Sequence, residues 1–510
     1  MSGVQTPTLL LRLPVSLLIW GVASASMFVP ASHALVMNNH PASQSFFYSG
    51  VLGLIGVTLI SLALAGRRPR FGTLGQLVSL LFAFAILPVY LAVPLHDALS
   101  TTSFFNAYFD MVSAITTTGA NLFSDPSRLS PSLHLWRAQV GWMGGLMMWI
   151  AASAILAPLS LGGFEVTARG QPGRGEAVQM LMAEADPRRR LLRITAALTP
   201  VYVGLTVALW VLLLISGERS LVALCHAMSV MATSGISPVG GPTGASAGIT
   251  GEILMFLFMF FALSRLTFSG DTSVMGNRRL DRDPEFRIGL LLVIGLTLLL
   301  FLRHWAASLE VVSGVGFGAA LHAFWGAMFT VMSFLTTTGF ESADWEEARR
   351  WSGLGTPGLI LMGLSVIGGG VATTAGGVKL LRVFALYMQG RREMERLVHP
   401  SSVSKSQNQD HIQNNGAFIA WVFFMLFAMS IAVISLALAA LGVSFDHAIV
   451  LSIATLSTTG PVIEVAAETP IKLVELNAAA KAVLCAAMVL GRLETLAIIA
   501  LFTPDLWRSR

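Results

Sequence analysis

Four short polar tetrapeptides of one kind recur along this chain, each at the end of a short apolar stretch. Their closing glycines are separated by 116, 104 and 121 residues. Self-similarity at such a regular interval indicates a repeated structural unit. We call these tetrapeptides the repeat loops; they are Thr116, Thr117, Thr118 and Gly119; Ala232, Thr233, Ser234 and Gly235; Thr336, Thr337, Thr338 and Gly339; and Ser457, Thr458, Thr459 and Gly460.

The chemistry open to the repeat loops is the coordination of a cation by oxygen atoms. Backbone carbonyls in such a loop can replace the hydration shell of a monovalent cation. Glycine permits the positive φ that this backbone needs, and a helix ending there points its partial negative charge at the cation. One such tetrapeptide alone is more often an ordinary helix end, but four in equivalent positions favour a cation-conducting pore.

The composition requires a membrane around these loops. Of 510 residues 54% are hydrophobic and only 12% are charged, with a mean hydropathy of +0.72, whereas a soluble domain has about 25% charged residues. This excludes a soluble enzyme, a nucleic-acid-binding domain and a disordered scaffold, so the net charge of +5 predicts no nucleic-acid partner. Cys225 and Cys485 lie in separate apolar stretches and are predicted to be small core residues.

A spanning helix needs roughly 20 apolar residues, and the sequence predicts ten such spans in the lipid bilayer. Four further apolar stretches, each ending at a repeat loop, are too short to span and are predicted to be half-helices that re-enter the membrane. The spans are 10–30, 46–66, 74–95, 136–159, 191–216, 251–268, 287–305, 356–388, 416–441 and 476–503, and the half-helices are 103–116, 219–232, 318–335 and 446–457.

The predicted fold is an all-α polytopic membrane protein. Four pseudo-symmetric repeats of helix, half-helix and helix surround a central pore and follow two extra transmembrane helices. Each repeat has an even number of spans, so all four share one orientation around an axis normal to the membrane. The predicted units are 1–73 for the two extra helices and 74–160, 191–270, 286–390 and 416–510 for the repeats, the third with a gating loop.

Charge asymmetry orients the protein. Of the 32 basic residues, 22 fall in loops or span ends on one face, which the positive-inside rule makes cytoplasmic. Acids in the opposite loops would raise the local cation concentration, although each one could equally be an ordinary solvated charge. The first span also fits a signal peptide, but its length favours a retained helix. The outer acids are Asp97, Asp110, Asp125, Glu310, Glu341, Asp344, Glu346, Glu347, Glu464 and Glu468.

Several motifs around the repeat loops resemble the TrkH/KtrB/HKT superfamily of potassium transporters, most closely the TrkH branch. The resemblance runs from the first span to the C-terminus. It is carried by Gly141-Trp142-Met143-Gly144-Gly145, Asp283-Pro284-Glu285-Phe286-Arg287, Ala375-Gly376-Gly377-Val378-Lys379 and Gly491-Arg492-Leu493-Glu494. It implies a channel-like potassium-uptake subunit of a bacterial inner membrane, with cytoplasmic termini and K⁺ as the transported ion, without an organic cofactor. It also implies a homodimer that binds a cytoplasmic TrkA-like nucleotide-binding regulatory subunit.

The resemblance further implies that the helix after the third repeat loop is broken and closes the pore. Five glycines in the ten residues 368–377, at about 1 kcal/mol each relative to alanine, do not suit a rigid helix. The alternative is close packing through small residues. Lys379 is either a gate charge or a lysine that snorkels to the interface. The gating residues are Gly368, Gly369, Gly370, Thr373, Thr374, Gly376, Gly377, Lys379 and, as an electrostatic barrier or latch, Arg492.

The second and fourth loops depart from the common pattern, with Ser234 before one glycine and Pro461 after the other. Within the superfamily a serine in place of the first filter glycine goes with sodium permeation, so Gly119 favours potassium. The alternative function is an H⁺- or Na⁺-coupled potassium symporter, but only Arg492 and Glu494 stand out as ionisable residues near the midplane. We find no catalytic or metal-ligand arrangement in the sequence, so we do not expect an enzyme.

Overall fold

The computed structural model describes residues 13–64, 73–123, 125–157, 163, 187–264, 283–307, 317–398, 407–467 and 469–494. Within these ranges the regular structure is helical and contains no strand. The α-helices are α1 (Val15–Ser26), α2 (Phe28–Val36), α3 (His40–Leu64), α4 (Thr73–Ala85), α5 (Leu87–Ala98), α6 (Phe104–Ile115), α7 (Pro131–Ala151), α8 (Pro187–Ile215), α9 (Ser220–Ala232), α10 (Gly248–Met259), α11 (Pro284–Ala307), α12 (Phe317–Leu335), α13 (Trp345–Ser352), α14 (Gly358–Ile367), α15 (Leu380–Val398), α16 (Gln407–Ala440), α17 (Phe445–Leu456), α18 (Val462–Ala466) and α19 (Ala478–Leu493).

Eight helices in the described part of the chain are long and apolar enough to cross a membrane. The predicted all-α, multi-pass fold is therefore confirmed. Seven of the eight match predicted spans, and the eighth, Gly318–Leu335, corrects a prediction because it is not too short to cross. The predicted span 356–388 is interrupted, since residues 368–379 are not helical between α14 and α15.

The four helices that end at repeat loops are α6, α9, α12 and α17, and each packs between the long helices of its own repeat. Each also contacts one neighbouring repeat. The helix that follows one repeat loop packs against the loop-bearing helix of the next repeat, in the pairs α7 with α9, α10 with α12 and α14 with α17. Contact of α19 with α6 closes this series into a ring.

The apolar residues divide between an interior and a lipid-facing surface. The N-terminal helices pack on the first repeat, where Phe46 of α3 meets the buried Trp136 of α7 edge to face at 5.5 Å between ring centroids. Long helices such as α3 expose leucine and isoleucine side chains outward, Leu52 and Leu59 among them. This arrangement suits a bundle surrounded by hydrocarbon.

A candidate ion path at the centre of the four repeats

The four repeat loops share one backbone conformation at their second residue. Thr117, Thr233, Thr337 and Thr458 have φ values of 56°, 51°, 58° and 54°. In the first loop Thr117 N–H bonds the Ala114 carbonyl at 2.9 Å and Thr118 N–H bonds the Ser113 carbonyl at 2.9 Å. This is the Schellman pattern of a helix C-terminus, and the equivalent pairs of bonds recur in the other three loops.

Threonine is an unfavourable residue for this conformation. The left-handed position of a Schellman motif normally holds glycine, and a β-branched side chain there is strained by about 1–3 kcal/mol. Strain retained four times in equivalent places indicates that the threonine side chain has a use. In the part of the chain that the structure describes, no protein group bonds the hydroxyls of Thr117 and Thr458, whereas that of Thr337 accepts a bond from Gly376 N–H at 2.8 Å.

The closing glycines bring neighbouring loops into backbone contact. A Cβ added at Gly119 would collide with the Ser234 carbonyl of the second loop, and one at Gly235 with the Thr338 carbonyl of the third. The series continues in chain order: a Cβ at Gly339 would meet Pro461, and one at Gly460 would collide with Ala120 after the first loop. The structure thus places the four loops in a closed ring around one axis.

The second and fourth loops differ in detail from the others. Ala232 is the last residue of α9, so the second loop begins inside its helix. Gly460 does not have a positive φ, unlike Gly119, Gly235 and Gly339. Its N–H instead bonds the Thr118 carbonyl at 2.6 Å. The fourth loop therefore closes the ring by a hydrogen bond to the first.

A cavity of about 260 Å³ lies beside this ring, where predicted outer acids are found, and is lined by Gly119, Gly235 and Gly339. Its wall includes the predicted outer acids Glu341 and Glu464. Burial, together with the nearby Glu464 and Glu346 carboxylates, raises the pKa of Glu341 to about 7. Burial also raises the pKa of Glu464. Both carboxyls therefore hold their protons more tightly than ordinary acids beside the opening to the ring.

One predicted outer acid is placed differently. Asp110 is not a loop charge but a buried residue of α6, with 1% of its surface exposed. It forms a salt bridge with Arg137 of α7 at 2.9 Å. The prediction was wrong because Asp110 lies within the stretch 103–116, itself predicted to be a half-helix, and not in a loop. Glu310 and Glu468 lie outside the described residues.

Against the ring lies the intramembrane segment, residues 368–379 between α14 and α15. It folds back on itself, since the N–H groups of Val378 and Lys379 bond the Val366 and Ile367 carbonyls, each at 2.8 Å. Gly368 and Gly377, at the base of this hairpin, have φ values of 73° and 76°. A Cβ at Gly368 would collide with the Gly376 carbonyl. Glycine is therefore required at this position both by the positive φ and by the lack of space.

Residues Thr374 and Gly376 of the intramembrane segment contact three of the repeat loops or the helices that lead into them. Gly376 N–H bonds Thr337 of the third, as described above. Thr374 donates to the Met231 carbonyl beside the second at 3.2 Å. A Cβ at Gly376 would collide with the Ser457 carbonyl of the fourth. Thr374 therefore lies against the end of α9 at the second loop, and Thr373 beside it is also buried.

The end of the second repeat and the first helix of the third repeat hold the segment in place. Gly369 and Gly370 pack on the end of the second repeat, where Gly370 N–H bonds the Ala262 carbonyl at 2.9 Å. Val371 N–H bonds the Glu285 carboxylate of α11 at 2.9 Å. The carboxylate and the carbonyl come from opposite sides of the connection between the second and third repeats, so both repeats fix the segment.

Arg492 of α19 reaches the same segment. Its Nη1 donates to the Thr374 carbonyl at 2.7 Å, while its Nε and Nη2 have no protein partner among the described residues. Glu494 does not pair with it but with Arg382 of α15, at 2.8 Å. Lys379 does not snorkel to the interface, because its buried ammonium bonds the Ala375 carbonyl.

Ionisable residues other than Arg492 and Glu494 are also buried among the described residues. Spanning helices can hide charges that are paired across the bundle, and a scan of single segments does not show such pairs. Asp110 with Arg137 and Arg382 with Glu494 are buried ion pairs. Glu252 of α10, also missed, is buried and accepts three hydrogen bonds.

Comparison with known proteins connects this arrangement to one family. The sequence model of the TrkH family, described as cation transport protein, matches residues 83–509. The Trk system potassium uptake protein TrkH of Salmonella typhimurium is 30% identical over 498 residues, covering 95% of this chain and 96% of that protein. The Trk system potassium uptake protein TrkG of Escherichia coli is 28% identical over 418 residues, 81% of each chain.

A solved structure agrees with these relatives. The crystal structure of the potassium transporter TrkH from Vibrio parahaemolyticus superimposes with a TM-score of 0.79 and 25% sequence identity. The match covers 98% of this chain and 99% of that one. With the family model matching most of its length, this multi-pass membrane chain belongs to the TrkH family of cation transport proteins.

Proposed function

We propose that this protein is the potassium-translocating subunit of a bacterial Trk-type uptake system and that the ring of repeat loops is its selectivity filter. The observation that carries the proposal is the ring itself, in which four loops with a left-handed threonine meet in chain order. Carbonyl and hydroxyl oxygens converge there with the C-terminal ends of four helices, an environment that favours a dehydrated cation. The names of the related potassium uptake proteins support K⁺ as the ion.

The ring also supports channel-like permeation over catalysis or coupled transport. Two buried ion pairs are present among the described residues, Asp110 with Arg137 and Arg382 with Glu494. A proton- or sodium-coupled carrier needs ionisable groups that change state during transport, and such pairs resist that change. K⁺ is on this proposal the transported substrate, no organic cofactor takes part, and the protein is not an enzyme.

The intramembrane segment is, on this proposal, the gate. Its tip lies against three repeat loops on the inner side of the filter and would obstruct a cation leaving it. Arg492 adds a positive charge at the same place, which opposes a cation. A cytoplasmic TrkA-like nucleotide-binding subunit would move the segment, acting on a homodimer in the inner membrane with cytoplasmic termini.

The deciding experiment is ⁸⁶Rb⁺ uptake into liposomes that contain the purified full-length protein, with and without a TrkA-like subunit. A K⁺ gradient drives uptake, and Na⁺ is added as a competitor. Uptake that follows the voltage, resists sodium and needs no second gradient is expected. Uptake that appears only with a proton or sodium gradient would instead establish a symporter. No uptake with the regulatory subunit present would overturn the proposal.

A further inference from the structure

We propose that Glu252, in the helix after the second repeat loop, is a positioning residue that sets the cation discrimination of the third repeat loop. This inference rests on the proposed function, since it concerns the filter of a potassium pathway. Glu252 lies on α10, outside the third repeat, and only 2% of its surface is exposed. Its carboxylate reaches across the boundary between the two repeats.

The three donors to Glu252 flank the third loop on both sides. Trp325 of α12, which leads into the loop, donates its indole N–H at 2.8 Å. Beyond the loop, the Ser342 hydroxyl and the Ala343 N–H each donate at 2.7 Å. Glu252 therefore ties the helix before the loop to the backbone just after it.

The bonds at Ser342 continue toward the loop. Its N–H bonds the Thr330 hydroxyl of α12 at 3.2 Å. Phe340, the residue after Gly339, donates its N–H to Ser333 at 2.6 Å. The backbone after the third loop is thus folded back on α12 by side-chain bonds, and Glu252 supplies the outermost of them.

The three donors among the described residues are neutral, and together they bond both oxygens of the Glu252 carboxyl group. Hydrogen bonds to a charged group are stronger than bonds between neutral groups. A carboxylate at this position therefore holds the backbone after the third loop more firmly than a neutral side chain would. If the size of the coordination site sets the discrimination, rejection of the smaller Na⁺ requires that the coordinating oxygens not close in around it. A loosened segment after Gly339 would allow the third loop to do so.

The chain contains a matched control in Glu218, which is also buried, with 5% exposed, and also accepts backbone N–H bonds on the outer side. Its partners Ser246 and Ala247, at 2.8 and 3.1 Å, lie 11 and 12 residues beyond Gly235. The loop-side partners of Glu252, Ser342 and Ala343, lie three and four residues beyond Gly339. Loss of either carboxylate removes similar bonds, but only Glu252 is close to a repeat loop.

The test compares Glu252→Gln with Glu218→Gln in the full-length protein. The first readout is the thermal unfolding temperature at increasing KCl or NaCl and constant ionic strength, because a cation that binds the folded state raises it. This readout does not depend on an open gate. The second is the ratio of ²²Na⁺ to ⁸⁶Rb⁺ flux in liposomes with the TrkA-like subunit present.

For Glu252→Gln we expect the preference for K⁺ over Na⁺ to fall by at least about threefold in both readouts, since charge-assisted bonds are lost. Glu218→Gln should lower stability without changing the preference. An unchanged preference in Glu252→Gln, or an equal change in both variants, would overturn the proposal. Failure of the wild-type protein to respond to K⁺ at all would instead refute the proposed function.

Milder variants keep the test decisive where Glu252→Gln does not fold. Ser342→Ala removes one loop-side donor and should shift the preference in the same direction by a smaller factor. Trp325→Phe removes the donor on α12 and leaves both loop-side bonds in place, so it should shift the preference less than Ser342→Ala. The reverse order would contradict the role assigned to Glu252.

Discussion

The repeat loops and the intramembrane segment are both irregular backbone at the centre of the bundle, but different bonds hold them. Each repeat loop is fixed by hydrogen bonds to its own helix, as Thr118 is to Ser113. The intramembrane segment depends partly on distant partners, such as Ala262 and Glu285. The turn at the second residue of each loop carries its own bonds, although Glu252 also braces the backbone after the third loop. The position of the segment, by contrast, depends on its distant partners.

The residues at positive φ show the same contrast. Threonine holds this conformation in all four repeat loops, where glycine would be less strained. In the intramembrane segment glycine holds it at Gly368 and Gly377, where the backbone closes on itself, and Ala372 and Lys379 hold it at the other two positions. The loops therefore retain a side chain despite the strain, and the segment keeps the close packing that glycine allows. On the proposed function this separates a rigid filter from a movable gate.

The largest expected effect comes from deleting residues 368–370, which tests whether the intramembrane segment is the gate. The deletion removes the bonds of Gly370 to Ala262 and of Leu380 to Gly369. Two bonds of about 1 kcal/mol each correspond to a rise in basal ⁸⁶Rb⁺ flux of roughly thirtyfold without the regulatory subunit. Gly363→Ala in α14, where a Cβ has open space, is the control. Unchanged regulation would break the gate assignment.

The next effect tests the filter side of the comparison through Gly119→Ser. The new side chain would collide with the Ser234 carbonyl and force neighbouring loops apart. Overpacking of about 1.4 kcal/mol changes an equilibrium tenfold, so we expect the ratio of ²²Na⁺ to ⁸⁶Rb⁺ flux to rise by about that factor. Gly204→Ser on α8 faces open space and should leave the ratio unchanged. A constant ratio in Gly119→Ser would show that the first loop is not part of the filter.

Local patterns in the sequence were enough to predict the all-α, multi-pass fold. Apolar stretches of spanning length are readable one at a time, because the membrane imposes the same requirement on each. The helix that ends at Leu335 was judged too short because the stretch 318–335 has only 18 residues, against the roughly 20 of a typical spanning helix. Once folded, Thr330 is buried and bonded to Ser342, so its polarity does not prevent a continuous helix.

Contacts between distant parts of the chain could not be predicted in this way. Glu252 and Ala343 are 91 residues apart, and Arg382 and Glu494 are 112 apart. No periodicity links such positions, because their proximity depends on how the repeats pack around the axis. The ring order of the loops and the anchoring of the intramembrane segment appear only when all four repeats are in place.

A smaller effect is expected for Arg492→Gln, which tests whether the gate includes a charge as well as a fold. The change removes the guanidinium that bonds the Thr374 carbonyl at 2.7 Å. Loss of a positive charge near the path and of one charge-assisted bond should raise basal ⁸⁶Rb⁺ flux by about three- to fivefold. Lys472→Gln, at an exposed pair with Glu475, should have no effect. Equal fluxes in the two variants would remove Arg492 from the gate.

The smallest effect concerns the outer side of the filter, through Glu341. Its pKa is raised to about 7 by burial and by Glu464 and Glu346, with Arg349 opposing. As the external pH falls through 7 the carboxyl gains a proton and the cavity loses a negative charge. Uptake of ⁸⁶Rb⁺ below saturation should then decline by about twofold. Uptake of ⁸⁶Rb⁺ by Glu341→Gln should stay at the lower rate and not change between about pH 6 and pH 8. The control Glu475→Gln, at an exposed residue, should retain the decline in uptake. If ⁸⁶Rb⁺ uptake by Glu341→Gln depends on pH as uptake by the wild type does, the charge of the outer cavity does not govern cation access. The filter and the gate alone would then account for the cation path.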